Sequence, residues 1–160
     1  MSTLQKITPF LWFDHEAEEA ARFYTEIFPN SRITTDTRFG EAGPGPKGSV
    51  MTVGFELAGQ PFAALNGGPA FHFTEAVSFV VHCDSQEEVD EMWDRLSAGG
   101  KEIQCGWLKD KYGLAWQIVP TVFFEMIQGP DAARTDRVMR AMFGMKKFDI
   151  AALEAAYRES

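Results

Sequence analysis

Two fifteen-residue stretches, FLWFDHEAEEAARFY from Phe10 and FVVHCDSQEEVDEMW from Phe79, superpose without a gap at an offset of 69 residues. Each begins as a short apolar run and then changes to a spacing of three and four. The spaced positions are Ala17, Ala20, Ala21, Tyr24, Ile27 and Phe28 in the first copy and Val89, Met92, Trp93 and Leu96 in the second. That change predicts a strand feeding an amphipathic helix, because side chains at i, i+3, i+4 and i+7 share one helical face. Ser85 and Glu88 have the spacing of a capping box for the second helix, and Asp14 is the expected cap of the first. Pro29-Asn30 and Gly99-Gly100 stop the two helices.

Strand signals follow each helix. RITTDTRF, SVMTVGFEL and QPFAALN complete the first copy; in the second of these, Met51, Val53, Phe55 and Leu57 alternate with Thr52, Gly54 and Glu56. KEIQC, GWLKD and LAWQIVP complete the second copy more compactly. The reading is an α+β fold of tandem βαβββ modules, repeats at about 7–68 and 76–120, within one domain spanning 1–160. Between two strands of the first copy, GEAGPGPKG holds four glycines and two prolines in nine residues and fits neither period; it reads as a mobile loop and a candidate lid. Beyond Pro120 the spacing is helical again, over TVFFEMIQ, DAARTDRVMRAMFGM and DIAALEAAYRE, with Asp149 as a cap, so a helical C-terminal extension covers 121–160. The stripe Val138, Met139, Met142 and Phe143 must bury against the sheet or a second subunit.

Composition narrows the class. A chain of 160 residues, 45% hydrophobic, can fill one core. The formal charge of −8 argues against nucleic acid as a partner, since phosphate binding needs clustered Lys and Arg. No apolar run approaches the roughly 20 residues of a membrane span, and the first residues lack the pattern of a signal peptide, so a cytoplasmic protein is expected. In that compartment Cys83 and Cys105 are expected to be free thiols.

Tandem βαβββ units with Phe23-Tyr24 near the end of the first helix resemble the vicinal oxygen chelate superfamily, in which each unit curls into half of an open mixed sheet. EAVSFVVHCDSQEEVDEMWDRLSAGG, CGWLKDKYGLAWQIVP and RVMRAMFGMKKFDIAALEAAY resemble its PhnB-like branch, which often carries the name 3-demethylubiquinone-9 3-methyltransferase domain. Metal-dependent members place His or Glu ligands on the first, fourth, fifth and eighth strands. Counted from Phe23-Tyr24, those positions fall on Pro9, at or near Ala64, on Ser78 and on Gln117. None is a strong donor, so no divalent metal of the superfamily kind is expected. His15 should face solvent and His72 lies in a connection; only His82 shares strand parity with Ser78. Nor is S-adenosylmethionine expected as a cofactor, because neither glycine cluster leads from a parallel strand into a helix.

Within CGWLKDKYGLAWQIVP, alternation puts Trp116 and Ile118 on the helix-packing face and Gln117 on the other, while Cys105, Trp107 and Lys109 share a face. Lys109-Asp110-Lys111 reads as a solvated turn. Gln117 must be hydrogen-bonded by the fold or by a ligand, because an unpaired amide on an apolar strand costs free energy. Cys105 is a nucleophile only if Lys109 or His82 activates it. The expected function is binding of a small molecule by a homodimer, with Asn66, Ser78, His82, Cys105, Trp107 and Gln117 as contacts. Drug-sequestering resistance proteins of the superfamily are the precedent. The alternatives are a lyase, isomerase or dioxygenase of the glyoxalase type, with or without a metal, and a methyltransferase.

Overall fold

The computed structural model describes residues 5–159, which divide into two compact units, the first ending at His72 and the second beginning at Phe73. Unit 1 runs β1 (Phe10–Phe13), α1 (Ala17–Ile27), β2 (Arg32–Arg38), β3 (Val50–Leu57) and β4 (Gln60–Asn66). Its sheet has the order β1-β4-β3-β2, with β1 parallel to β4 and the other pairs antiparallel. Unit 2 repeats the plan: β5 (Ser78–Cys83), α2 (Gln86–Ser97), β6 (Lys101–Glu102), β7 (Trp107–Lys109) and β8 (Ala115–Pro120) form the order β5-β8-β7-β6, with β5 parallel to β8. The helices α3 (Thr121–Ile127), α4 (Ala132–Phe143) and α5 (Ile150–Arg158) follow. The eight strands and five helices are those of the predicted α+β fold, with two open mixed sheets.

In unit 1 the alternation of Val53, Phe55 and Leu57 meets Leu11, Phe13, Phe62 and Ala64 on one face of the sheet, and all are buried. Alanines at 17, 20 and 21, also buried, let α1 approach that face closely. Tyr24 then stacks 6.2 Å from Phe55, which stacks 5.4 Å from Phe62. In unit 2 the bulkier stripe Val89, Met92, Trp93 and Leu96 fills the same role.

The caps divide differently from the prediction. Ser85 Oγ accepts from the Glu88 N–H at 3.1 Å, while Glu88 reaches back to the Asp84 N–H at 2.9 Å. Asp149 caps α5 by accepting from the Ala152 N–H. Asp14, however, does not cap α1: the N-cap is Glu16, with no side-chain cap of its own. The Ala17 N–H is satisfied from across the sheet, by Asn66 Oδ1 at 2.8 Å. A free helical N–H needs an acceptor, and the end of β4 supplies it.

Three further expectations change. KEIQC reads as one strand, yet β6 holds only Lys101 and Glu102, because Cys105 (φ 62) and Gly106 (φ 81) turn the chain there and the Trp107 N–H closes on Gln104 O. Asp110 is not in a solvated turn; it is 2% exposed. Its carboxylate accepts from the Tyr112 and Leu114 N–H groups and, at 2.9 Å, from the Trp116 indole. A turn whose backbone donors all point inward can hold a buried anion by charge-assisted bonds. The α4 stripe packs chiefly on α5 and α3: Val138 and Met142 are buried, but Phe143 stays 60% exposed.

Segment 144–150 is tied to the rest of unit 2 at several points. The Cys105 and Gly106 N–H groups donate to Met145 O and Lys146 O at 2.8 and 2.7 Å. The Gln86 amide accepts from the Ile150 N–H and donates to Phe148 O. The fully buried Phe148 ring lies where a side chain at residue 106 would stand, which explains that glycine.

Candidate functional site

Strand alternation separates the two faces of the unit 2 sheet. Phe79, Val81 and Cys83 turn toward α2, and Ser78, Val80 and His82 turn to the open side. Gln117 stands in register between Val80 and Trp107, and its Nε2 donates to Ser78 Oγ at 2.9 Å. Half-buried Trp107 is its neighbour, and Lys109 on the same strand forms an ion pair with Glu75. The Lys109 ammonium holds the Glu75 carboxyl below the usual carboxylate range. His82 is exposed on this face, its ring 5.2 Å from that of Phe124 on α3. Trp116 points the other way into the core, 3% exposed, as expected.

Four of the six predicted contacts, Ser78, His82, Trp107 and Gln117, therefore share one face. Cys105 does not join them by strand parity: it precedes β7 in the positive-φ turn, its N–H taken by Met145 O. Both cysteines are free thiols. Burial pushes the Cys83 thiol up to about 12, with Glu88 and Asp84 adding to the effect, so that thiol is an inert core group. Asn66 lies in unit 1 and is used structurally on both sides of its amide, accepting from Ala17 and donating to Val50 O at 3.0 Å.

The open face of unit 1 is apolar where superfamily ligands would stand. Ala64 and its register partner Leu11 are buried toward α1, so the open-face positions of β1 and β4 are Phe10, Trp12, Ala63 and Leu65. A shift of one residue moves a strand position to the opposite face. The count that led to Ala64 thus needs moving by one, and its neighbours are equally without donors. In unit 2 the matching positions hold Ser78 and Gln117, neutral groups already bonded to each other. These residues do not fit a divalent metal, which needs several charged or imidazole donors converging on one point.

Sequence reasoning missed a concave region inside unit 1. A cavity of about 580 Å³ opens at the start of α1, between Asp14, His15 and Glu18, the 40–48 loop with Ser49 and Val50, and Asn66 with its two following glycines. His15 is 79% exposed there, as expected, with Nδ1 3.6 Å from Asp14 Oδ2 and 3.4 Å from Glu16 Oε1. Asp14, His15 and Glu16 form the one group of three metal-type donors among the described residues, their ligand atoms within 4.8 Å of one another. They are consecutive in sequence and lie at the β1–α1 corner, off the sheet faces.

Comparison with known proteins places this geometry. The profile of the 3-demethylubiquinone-9 3-methyltransferase family matches residues 5–119 and so stops before α3. A structure described as a putative 3-demethylubiquinone-9 3-methyltransferase, PhnB protein, from Bacillus cereus is 39% identical; the match covers 73% of this chain and 100% of that one, with a TM-score of 0.67. Protein PA1353 from Pseudomonas aeruginosa is 22% identical over 74% of this chain and 98% of that one, with a TM-score of 0.61. The fosfomycin resistance protein FosX from Listeria monocytogenes, complexed with Mn(II) and sulfate, shares the fold at 18% identity, covering 75% and 90% of the two chains with a TM-score of 0.50. No curated protein matches the chain. The chain belongs to the 3-demethylubiquinone-9 3-methyltransferase family, and it is similar to the PhnB protein of that family.

Proposed function

We propose that the protein binds a small, flat, polar molecule on the open face of the unit 2 sheet, holding it without a divalent metal and without turnover. The observation that carries this reading is the Ser78–Gln117 pair beside Trp107. With Nε2 given to Ser78, the Gln117 amide offers its oxygen to a ligand donor, and the Ser78 hydroxyl offers its hydrogen to a ligand acceptor. Trp107 supplies a surface for stacking, and His82 with Phe124 adds a second aromatic wall. A few fixed polar groups among aromatic ones is the usual composition of a small-molecule site.

In this reading the two repeats form one domain, and a second copy of the chain covers exposed apolar side chains such as Phe10 and Phe143. No helix among the described residues is long and apolar enough to cross a membrane, and cytoplasmic location is part of the proposal. S-adenosylmethionine is not part of it, since no glycine-rich turn leads from a parallel strand into a helix. An enzymatic reading rests on His82, a titratable group on the same face as Gln117.

The test is to purify the protein from its native cytoplasm, denature it and identify released small molecules by mass spectrometry. A stoichiometric aromatic or polar metabolite, absent from Gln117→Ala, is expected. Equal retention by wild type and Gln117→Ala would overturn the assignment. Conversion of the molecule during incubation, abolished by His82→Ala, would establish the enzyme instead.

A further inference from the structure

We propose that the cavity at the start of α1 is a second, separate binding site, selective for a small organic ammonium ion. Phe39 anchors the GEAGPGPKG loop: its N–H donates to Ser49 O at 2.9 Å and its carbonyl accepts from Gly48 at 2.8 Å, which pinches the loop ends together. The ring lies against Gly43 and Gly45, and a Cβ at Gly43 would come within 2.6 Å of it. The glycines thus let the loop wrap an aromatic ring, and the two prolines beside them stiffen it into a wall. What reads in sequence as an irregular lid is one side of a shaped hollow with Phe39, Pro44, Pro46 and Val50 as its apolar lining.

The polar inventory of that hollow is lopsided. Several of its donors are engaged: Ser49 Oγ donates to Pro46 O at 2.6 Å, Asn66 Nδ2 to Val50 O at 3.0 Å, and the Gly67 and Gly68 N–H groups to Phe13 O and Asp14 O. The first N–H of α1, from Ala17, is taken by Asn66. What remains facing the space is acceptor and anion: the carboxylates of Asp14 and Glu18 and the lone pairs of Ser49. His15, with Nδ1 toward Asp14 and Glu16, presents its other nitrogen as an acceptor when neutral. Arg22 pairs with Glu18 from one turn along the helix, but no Lys or Arg lines the cavity itself.

A lining that accepts hydrogen bonds, carries negative charge and has an apolar wall selects a donor-rich cation with an apolar body. A primary ammonium provides three N–H donors for that set, and its hydrocarbon part can lie against the Phe39 loop. The volume of about 580 Å³ is in the ordinary range for small-ligand sites. An anion of the same shape would be repelled by the rim carboxylates, and a neutral molecule would forgo the charge-assisted bonds an ammonium makes to them, so discrimination among the three follows from charge.

The test is an amide-resolved NMR titration of the full chain with three probes of similar size, benzylamine, benzyl alcohol and benzoate. Benzylamine is expected to shift the resonances of residues 14–18, 39–50 and 66–68, and to bind at least about tenfold more tightly than benzyl alcohol. Benzoate is expected not to bind. The double variant Asp14→Asn, Glu18→Gln should lose that tenfold preference. His15→Lys, which places a cation at the rim and leaves both carboxylates intact, should weaken benzylamine as well. Equal affinity for the amine and the alcohol, shifts confined to other residues, or an unchanged preference in either folded variant would overturn the proposal. Trp107 and Gln117 are not expected to respond, so this result is independent of the metabolite test on the unit 2 face.

Discussion

The two repeats share an element order and a sheet topology, yet they build their ordered structure differently. Unit 1 has long strands over β2–β4, a helix of buried alanines seated close on the sheet, and an aromatic stack of Tyr24, Phe55 and Phe62. Unit 2 has a two-residue β6 and a three-residue β7, too little ladder to fix a sheet edge unaided. Its edge is instead held by a buried carboxylate, Asp110, and by the 144–150 segment bound to the Cys105–Gly106 turn. Polar interactions hold the sheet edge of unit 2 where longer ladders hold that of unit 1. The open faces differ likewise along their parallel strand pairs: apolar over β1–β4 in unit 1, and carrying the Ser78–Gln117 pair over β5–β8 in unit 2.

This contrast can be broken most strongly at Asp110. Replacing it by Ala leaves the Trp116 indole and the Leu114 N–H buried without an acceptor, and about 3–5 kcal/mol of stability should be lost in urea unfolding. Phe55→Ala in unit 1 should cost a similar amount, about 3–5 kcal/mol, by leaving a cavity. The two variants should differ in kind. Hydrogen exchange should rise first in residues 105–120 for Asp110→Ala, and across β3, β4 and α1 for Phe55→Ala.

Asn66→Ala removes the acceptor for the Ala17 N–H and should cost about 1–2 kcal/mol, with fraying of the first turn of α1. Asp14→Ala, at the position that sequence favours for the cap, should cost far less.

The smallest effect is expected at Lys147–Asp90, where the ammonium and then the Gln86 amide hold the Asp90 carboxyl below its usual range. A lowered carboxylate pKa contributes stability above the unfolded value near 4, and that stability is lost as pH falls through the folded value. Because the pair is largely solvated, Asp90→Asn should cost only a few tenths of a kcal/mol at neutral pH, and its difference from wild type should vanish in acid.

How much of this was legible in the sequence follows from range. The helix stripes, the alternation in β3 and the Ser85 box are local periodic signals, and they locate the elements. Asp110 is not legible as a buried residue, because a charge beside two lysines in a turn reads as solvated unless the indole six residues further along is known to seek an acceptor. The cap of α1 was misplaced for the same reason: its acceptor is 49 residues distant in sequence. Cys105 reads as a strand-face residue because positive φ at a non-glycine residue carries no pattern. Of the candidate contacts, Ser78, His82, Trp107 and Gln117 could be brought together by counting parity alone. The unit 1 hollow could not, since it depends on how a glycine-rich loop folds around one phenylalanine.

The claim on which the account rests is that the superfamily coordination positions lack ligands in this chain, and elemental analysis of the natively purified protein tests it most directly. The account predicts less than about one-tenth of an equivalent of Mn, Fe, Ni or Zn per chain after gel filtration, as expected when neutral Ser and Gln oxygens stand where His and Glu would coordinate. One equivalent of such a metal, retained by His15→Ala and lost in Gln117→Ala, would contradict it.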